Sequence, residues 1–364
     1  MLRSPANFVR LKGLDSLRFV AAVWVACSHG ARAPLEHMIP GDGALSQALI
    51  AINNGLFNGV AAVMLFFVIS GLVIHHANAG REDIDIANHY ARRLLRITPP
   101  FIAAQTICLL MGPAFQIELN DVLWSIYCEF AFYMAYPLLF VLFRRVGVER
   151  VFLYSALAAS FAIAANWRIS YHSMLPLWAL LVIGLPCLLL GCVLAEQLTR
   201  QRTFENVSGA GIWSWRLAAI ALSVAMKIPV THGPTLIGYP AGHWIFAVFA
   251  FFWLSREINW FAHHVPPRWM EAGGGMSYSL YLVHFPVLGL FMASEIGNAP
   301  LRGIFGHDVT AWFIAWTLQI AMIAFVTVVF HLVVEAPCHR LARSVGKWAG
   351  SIARTPQVRP QFNL

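Results

Sequence analysis

The sequence is short of charge, of cysteine spacing that could cross-link or bind a metal, and of repetition. Charged residues make up 12% of its 364 positions against 59% hydrophobic, and the mean hydropathy is +0.65. That scarcity excludes a soluble domain, whose composition is ordinarily about a quarter charged. The six cysteines, at 27, 108, 128, 187, 192 and 338, follow neither a disulfide framework nor a metal-ligand pattern. They read as small apolar side chains, and no bound metal or cofactor is expected. No internal repeat or low-complexity tract stands out. No small-residue cleavage pattern follows the first apolar run, so it is expected to remain as a helix.

What the sequence has in abundance is long apolar runs. Windows of about twenty residues fall at roughly 14–33, 57–77, 97–116, 122–143, 151–168, 173–195, 213–230, 238–255, 276–296 and 310–334. Hydrocarbon admits only helices or closed barrels, and these runs are too long for barrel strands. The expected fold is therefore an all-α polytopic integral membrane protein with about ten transmembrane helices. The third window is expected to open on Pro99-Pro100, which a first turn tolerates.

The placement of positive charge orients this topology. With the N-terminus in the cytoplasm, 19 of the 25 Lys and Arg residues fall in inner segments and four in outer ones, while Arg18 and Arg216 lie within helices. The bias supports both termini cytoplasmic, with the chain in the inner membrane. In a membrane protein a formal net charge of +8 carries no implication of nucleic acid binding. Residues 1–345 form the expected transmembrane domain, and 346–364 the expected cytoplasmic, disordered tail. The longest outer loop, about 34 to 56, contains Pro34, Pro40, Gly41, Gly43 and Gly55 and reads equally as a lid or as ordinary surface.

Ionisable groups inside such helices are costly, so each one marks either a function or a paired structural contact. Arg18 and His29 stand eleven positions apart, which returns to within about 20° of the same helix face roughly 16 Å further along. His29 could be a general base or acyl carrier, or merely hydrogen-bonded to a neighbouring helix. Ser125, Glu129 and Tyr133 recur every four residues on one face of the fourth helix. A carboxylate at that depth has to be protonated or paired. Arg93 and Arg96 share a face where they could grip phosphates or simply anchor the topology. Ser70-Gly71 reads as a close-packing step. Ser277, Tyr281 and His284 form a polar stripe on the ninth helix, and His331 with Glu335 reads as a structural hydrogen bond.

Taken together, these segments resemble the membrane-bound acyltransferase-3 family of O-acyltransferases acting on sugars and related acceptors. The residues carrying the resemblance are Arg18 and His29, Phe66-Phe67 with Ser70-Gly71, Arg93 and Arg96, and Trp124-Ser125 with Glu129. The Ser277-to-His284 stretch and the closing Glu335-x-Pro337 complete it. Leu72 and Ile126 depart from the usual pattern without removing a polar group. The chain also ends too soon for the extra hydrolase-like domain of some relatives, so transfer is expected to finish within the membrane domain.

The resemblance implies an acyl-CoA co-substrate, in the first instance acetyl-CoA, on the cytoplasmic side and His29 as the essential residue. The expected acceptor is a glycan or lipid-linked saccharide hydroxyl, with membrane lipid around the site. In this picture Arg93 and Arg96 bind the phosphates, Arg18 lines the channel, and Glu129 orients or charge-balances His29. Tyr133, Ser70 and Arg18 are unranked candidates to stabilise an oxyanion, and Ser125, Tyr281 and His284 line the path. The alternative class is a secondary transporter whose His, Glu and Arg form a proton relay, although no repeated half is visible.

Overall fold

The computed structural model describes residues 11–39, 43–166, 175–200, 204–231, 239–293 and 309–353. Among these residues there are helices and no strands. Among the described residues, eight helical stretches are long and apolar enough to cross a membrane: Ala44–His76, Ile86–Met111, Val122–Val146, Val148–Ala165, Leu177–Arg200, Gly209–Lys227, Trp244–His263 and Val309–Gly346. Two shorter apolar helices, α1 (Leu14–Ala26) and α12 (Ser277–Ala293), occupy the remaining two windows. Large apolar side chains such as Leu110, Phe161 and Phe325 are 82%, 76% and 68% exposed on the outside of the bundle. The protein is a polytopic, multi-pass membrane protein, and those exposed faces are what lipid would cover.

The centre of the bundle is α4 (Gly59–His76), apolar on every side and buried along most of its length. It crosses α8 (Leu177–Arg200) closely enough that a Cβ on Gly71 would run into the Leu188 carbonyl, and one on Gly191 into the Val68 carbonyl. Reciprocal glycines let the two backbones meet where lipid supplies no hydrophobic drive for association.

α1 is seated from both ends. At its start, Ser16 donates its N–H and hydroxyl to Glu271 of α11 (Arg268–Gly275) at 3.1 and 2.7 Å. A carboxylate there satisfies a first-turn donor and complements the helix dipole. At its far end Trp24 donates to the Leu56 carbonyl at 2.9 Å. Leu56 closes α3 (Ala44–Leu56), so most of the stretch expected as a loop is helical; α2 (Leu35–Met38) precedes it. The turn-forming residues Pro40, Gly41 and Asp42 lie outside the described residues, whereas Ala44 onward is rich in helix formers.

Two further findings alter the expected geometry. α5 runs from Ile86 to Met111, so Pro99 and Pro100 are inside it and do not open it. The prolines remove two backbone donors, but the helix is pinned before and around them. Asp85 accepts from Asn88 N–H, His89 and Tyr90 bond the Tyr133 and Met134 carbonyls, and Tyr278 donates to the Ile97 carbonyl. The result places Arg92, Arg93 and Arg96 on a helix. The second finding is a widening of the helix into a π turn at Cys27–Ala31 and again at His331–Glu335. The second π turn joins α13 (Val309–Phe330) to α14 (Ala336–Ala353), which lies along α5. α14 thus continues past residue 345, and residues 354–364 lie outside the described ones.

The remaining helices among the described residues are α6 (Pro113–Val146), α7 (Val148–Ala165), α9 (Gly209–Thr231) and α10 (Tyr239–His263). They complete the bundle. Arg216 of α9 meets the buried Glu257 of α10 through two hydrogen bonds of 2.8 and 2.9 Å, a closed structural pair that Trp253 also joins at 3.0 Å.

Candidate active site

α1, α4, α5, α6 and α12 face one another around a narrow cavity of about 70 Å³. Arg18, Ser70, Arg93, Arg96, Ser125, Glu129, Tyr133 and Tyr281 all line it. The four-residue spacing on α6 is what brings Ser125, Glu129 and Tyr133 in together. Glu129 Oε1 accepts from Ser70 Oγ at 2.6 Å and from Tyr133 OH at 2.5 Å. The Arg93 guanidinium stands 4.7 Å from the centre of the Tyr133 ring, and Arg18 bonds Asp15 at 3.2 Å. The cost of a half-buried carboxylate is met by two hydroxyl donors in a cavity shared with three arginines. The Ser70-Gly71 step divides its work: Gly71 packs on α8, and Ser70 holds the site carboxylate.

At the end of this slot away from the arginines, Ser125 Oγ and Tyr281 OH are 2.7 Å apart, and Tyr281 donates to the Val122 carbonyl at 3.0 Å. Beyond Tyr281 stand the two histidines. The Tyr281 and His284 rings are 5.8 Å apart, and the His284 and His29 rings 5.3 Å apart and near parallel. His29 Nδ1 lies 3.1 Å from His284 Nε2. Glu129, expected to orient His29, accepts from Ser70 and Tyr133, and the described hydrogen bond of His29 joins it to His284.

The α-helix carrying Arg18 ends at Ala26, and His29 lies in the π turn that follows, just before Gly30 leaves helical geometry at φ 124°. Position 30 adopts a backbone that side chains rarely allow. His29 is exposed and stands against α12.

The His284 ring fixes which nitrogen of His29 is basic. Its Nδ1 lies 2.8 Å from the Tyr281 carbonyl and 3.1 Å from the Leu280 carbonyl, groups that only accept, so Nδ1 carries the hydrogen. In neutral His284, Nε2 is then the acceptor. His29 Nδ1 donates to it, which leaves His29 Nε2 as the basic nitrogen. An oriented imidazole with its basic nitrogen at an exposed site is the arrangement a general base or a transient acyl carrier requires.

Near the arginine end, α5 and α14 enclose a second cavity of about 300 Å³, lined by Arg92, Arg93, Arg96, His339, Ala342 and Arg343. It shares Arg93 and Arg96 with the slot. Arg92, His339 and Arg343 were not among the residues singled out from the sequence. The only sign of the two arginines there is the count of positive charge on one side, and His339 left none. Elsewhere, Glu335 fulfils the structural reading: it accepts from Ser279 at 2.5 Å and His331 at 2.9 Å, tying α13 to α12. Among the described residues no group of three or more His, Cys, Asp or Glu side chains is arranged to hold a metal ion. Cys108, Cys128, Cys187 and Cys192 are buried, and Cys27 and Cys338 half-buried.

A family profile described as an acyltransferase domain, Acyl_transf_3, matches residues 11–335. The chain belongs to the acyltransferase-3 family. It is also similar to the acyltransferase MdmB of Streptomyces mycarofaciens, with 26% identity across 93% of this chain and 94% of that protein. No solved structure matches. Family membership makes acyl transfer the reaction class and leaves the transporter reading without support.

Proposed function

We propose that the protein is an integral O-acyltransferase of the inner membrane. It moves an acetyl or other short acyl group from acyl-CoA to a hydroxyl of a carbohydrate or lipid-linked glycan. The observation that carries this reading is the single cavity joining the arginines at one end of the bundle to Tyr281, with the His284–His29 pair directly behind that tyrosine.

CoA has the matching order of groups: phosphates at one end, a thioester at the other, and a flexible arm between. Arg93 and Arg96 hold phosphate, and the acyl end enters the slot past Glu129. At about 70 Å³ the slot has room for roughly five water-sized volumes, which favours a short acyl group. His29 Nε2 takes the proton of the acceptor hydroxyl as that oxygen attacks the thioester carbonyl. The new C–O bond forms, the C–S bond breaks, and the proton returns from His29 to the departing thiolate. His29 could equally carry the acyl group itself between two such steps. Tyr133, Ser70 and Arg18 are the donors within the slot from which an oxyanion could be stabilised.

Purified wild type and His29→Ala in detergent, given radiolabelled acetyl-CoA and deacylated surface glycan from the source cells, test the assignment. Wild type transfers label and the variant does not. Equal transfer by both overturns the role of His29, and label retained on CoA by wild type overturns the donor. NMR of surface glycans from a knockout strain, searched for lost O-acyl signals, identifies the acceptor.

A further inference from the structure

Arg18, Arg200, Arg216 and Arg256 each meet a carboxylate, at 3.2, 3.4, 2.8 and 2.7 Å respectively. Four other arginines, Arg92, Arg93, Arg96 and Arg343, gather around the cavity between α5 and α14, and no carboxylate is among the residues that line it. Positions 92, 93 and 96 occupy adjacent faces of α5. Positions 339, 342 and 343 share one face of α14, where the buried Ala342 leaves space between the longer side chains. Like charges gathered around one space repel, and topology alone would be served by arginines spread over the surface. A polyanion relieves that repulsion, and guanidinium forks match phosphate oxygens two at a time.

We propose that this cavity is a nucleotide-phosphate subsite. Arg92 and Arg343 clamp the 3′-phosphate of CoA from opposite helices, while Arg93 and Arg96 keep the diphosphate at the mouth of the slot. This rests on acyl-CoA being the donor. The assignment follows the order of groups along the molecule: the diphosphate lies between the pantetheine arm and the ribose, so the 3′-phosphate belongs further from Glu129 than Arg93 and Arg96 do. The subsite explains why α14 is laid against the first turns of α5. The other source of the same chemistry is a phospholipid headgroup.

The test is binding of acetyl-CoA and 3′-dephospho-acetyl-CoA to the full-length protein in phosphatidylcholine nanodiscs, for wild type, Arg92→Gln and Arg343→Gln. Wild type binds acetyl-CoA about tenfold or more tightly than the dephospho form, the scale of one charge-assisted contact. Each variant loses most of that preference while keeping wild-type affinity for the dephospho form, and Arg343→Lys restores part of it. A variant that keeps the full preference overturns the proposal, and so does one that weakens both ligands equally. Loss of the wild-type preference in nanodiscs containing phosphatidylglycerol, with no change in dephospho-acetyl-CoA binding, assigns the subsite to lipid and overturns the CoA assignment. If wild type binds neither thioester, the donor reading fails. The subsite then stands or falls on adenosine 3′,5′-bisphosphate, which wild type has to bind and Arg343→Gln has to release.

Discussion

Among the described residues the bundle widens into a π turn twice, each time with a histidine hydrogen-bonded to a buried partner, yet the two histidines are put to opposite uses. At Cys27–Ala31, His29 reaches an exposed position and has its tautomer set by the fully buried His284. At His331–Glu335, the histidine donates to a carboxylate that is itself 1% exposed and already holds Ser279. The same backbone device thus serves chemistry in one place and cohesion in the other. What separates them is the direction of the hydrogen-bond chain. His29 ends a chain that begins on backbone carbonyls, so its far nitrogen is the basic one. His331 feeds a carboxylate that gathers bonds from two helices and has nothing further to give.

Breaking each turn should therefore cost different things. His29→Ala should lower acyl transfer by about a thousandfold, the middle of the range for a positioned base, with an unchanged thermal unfolding profile in detergent. Loss of activity that tracks loss of folded protein would place His29 with His331. Glu335→Ala should do the reverse. It strands the buried Ser279 hydroxyl and takes the partner from the half-buried His331 ring, at a cost of about 3 kcal/mol. Apparent Tm should fall, while transfer per folded molecule stays at the wild-type rate.

The sequence could be read wherever a regular helix carried the information. Ser125, Glu129 and Tyr133 were placed together by their spacing on α6, and they line the slot. Regular periodicity gives no sign of the π turn that carries His29, nor of the contact that turn makes with His284 of α12. The prolines of α5 look like a beginning because their local cost is real, and only contacts from Tyr278 and the α6 backbone show why the helix passes through them. Arg92 and Arg343 were hidden for another reason. In a charge count a phosphate ligand and a topology anchor look alike, and what distinguishes them is the packing of α14 against α5, more than two hundred residues away in the chain.

The comparison can be sharpened at His284 and His331, where smaller effects are expected. His284→Leu removes the acceptor for His29 Nδ1 and leaves Arg93 and Arg96 in place. The expectation is a ten- to hundredfold fall in kcat with an unchanged KM for acetyl-CoA, and His284→Gln, whose amide oxygen still accepts, should recover part of it. A matching rise in KM would mean that His284 shapes donor binding and does not orient the base.

The weakest change is His331→Gln. The glutamine amide can still donate to Glu335, and Ser279 supplies the carboxylate's other short bond, so the network loses one geometry and strands no charge. A cost of about 1 kcal/mol follows, near the net value of a single hydrogen bond, with wild-type transfer rates. A loss of activity as large as that of His284→Leu would show that the second π turn reaches the chemistry through Ser279 and α12. The two turns would then act as one device clamping the same helix from both sides.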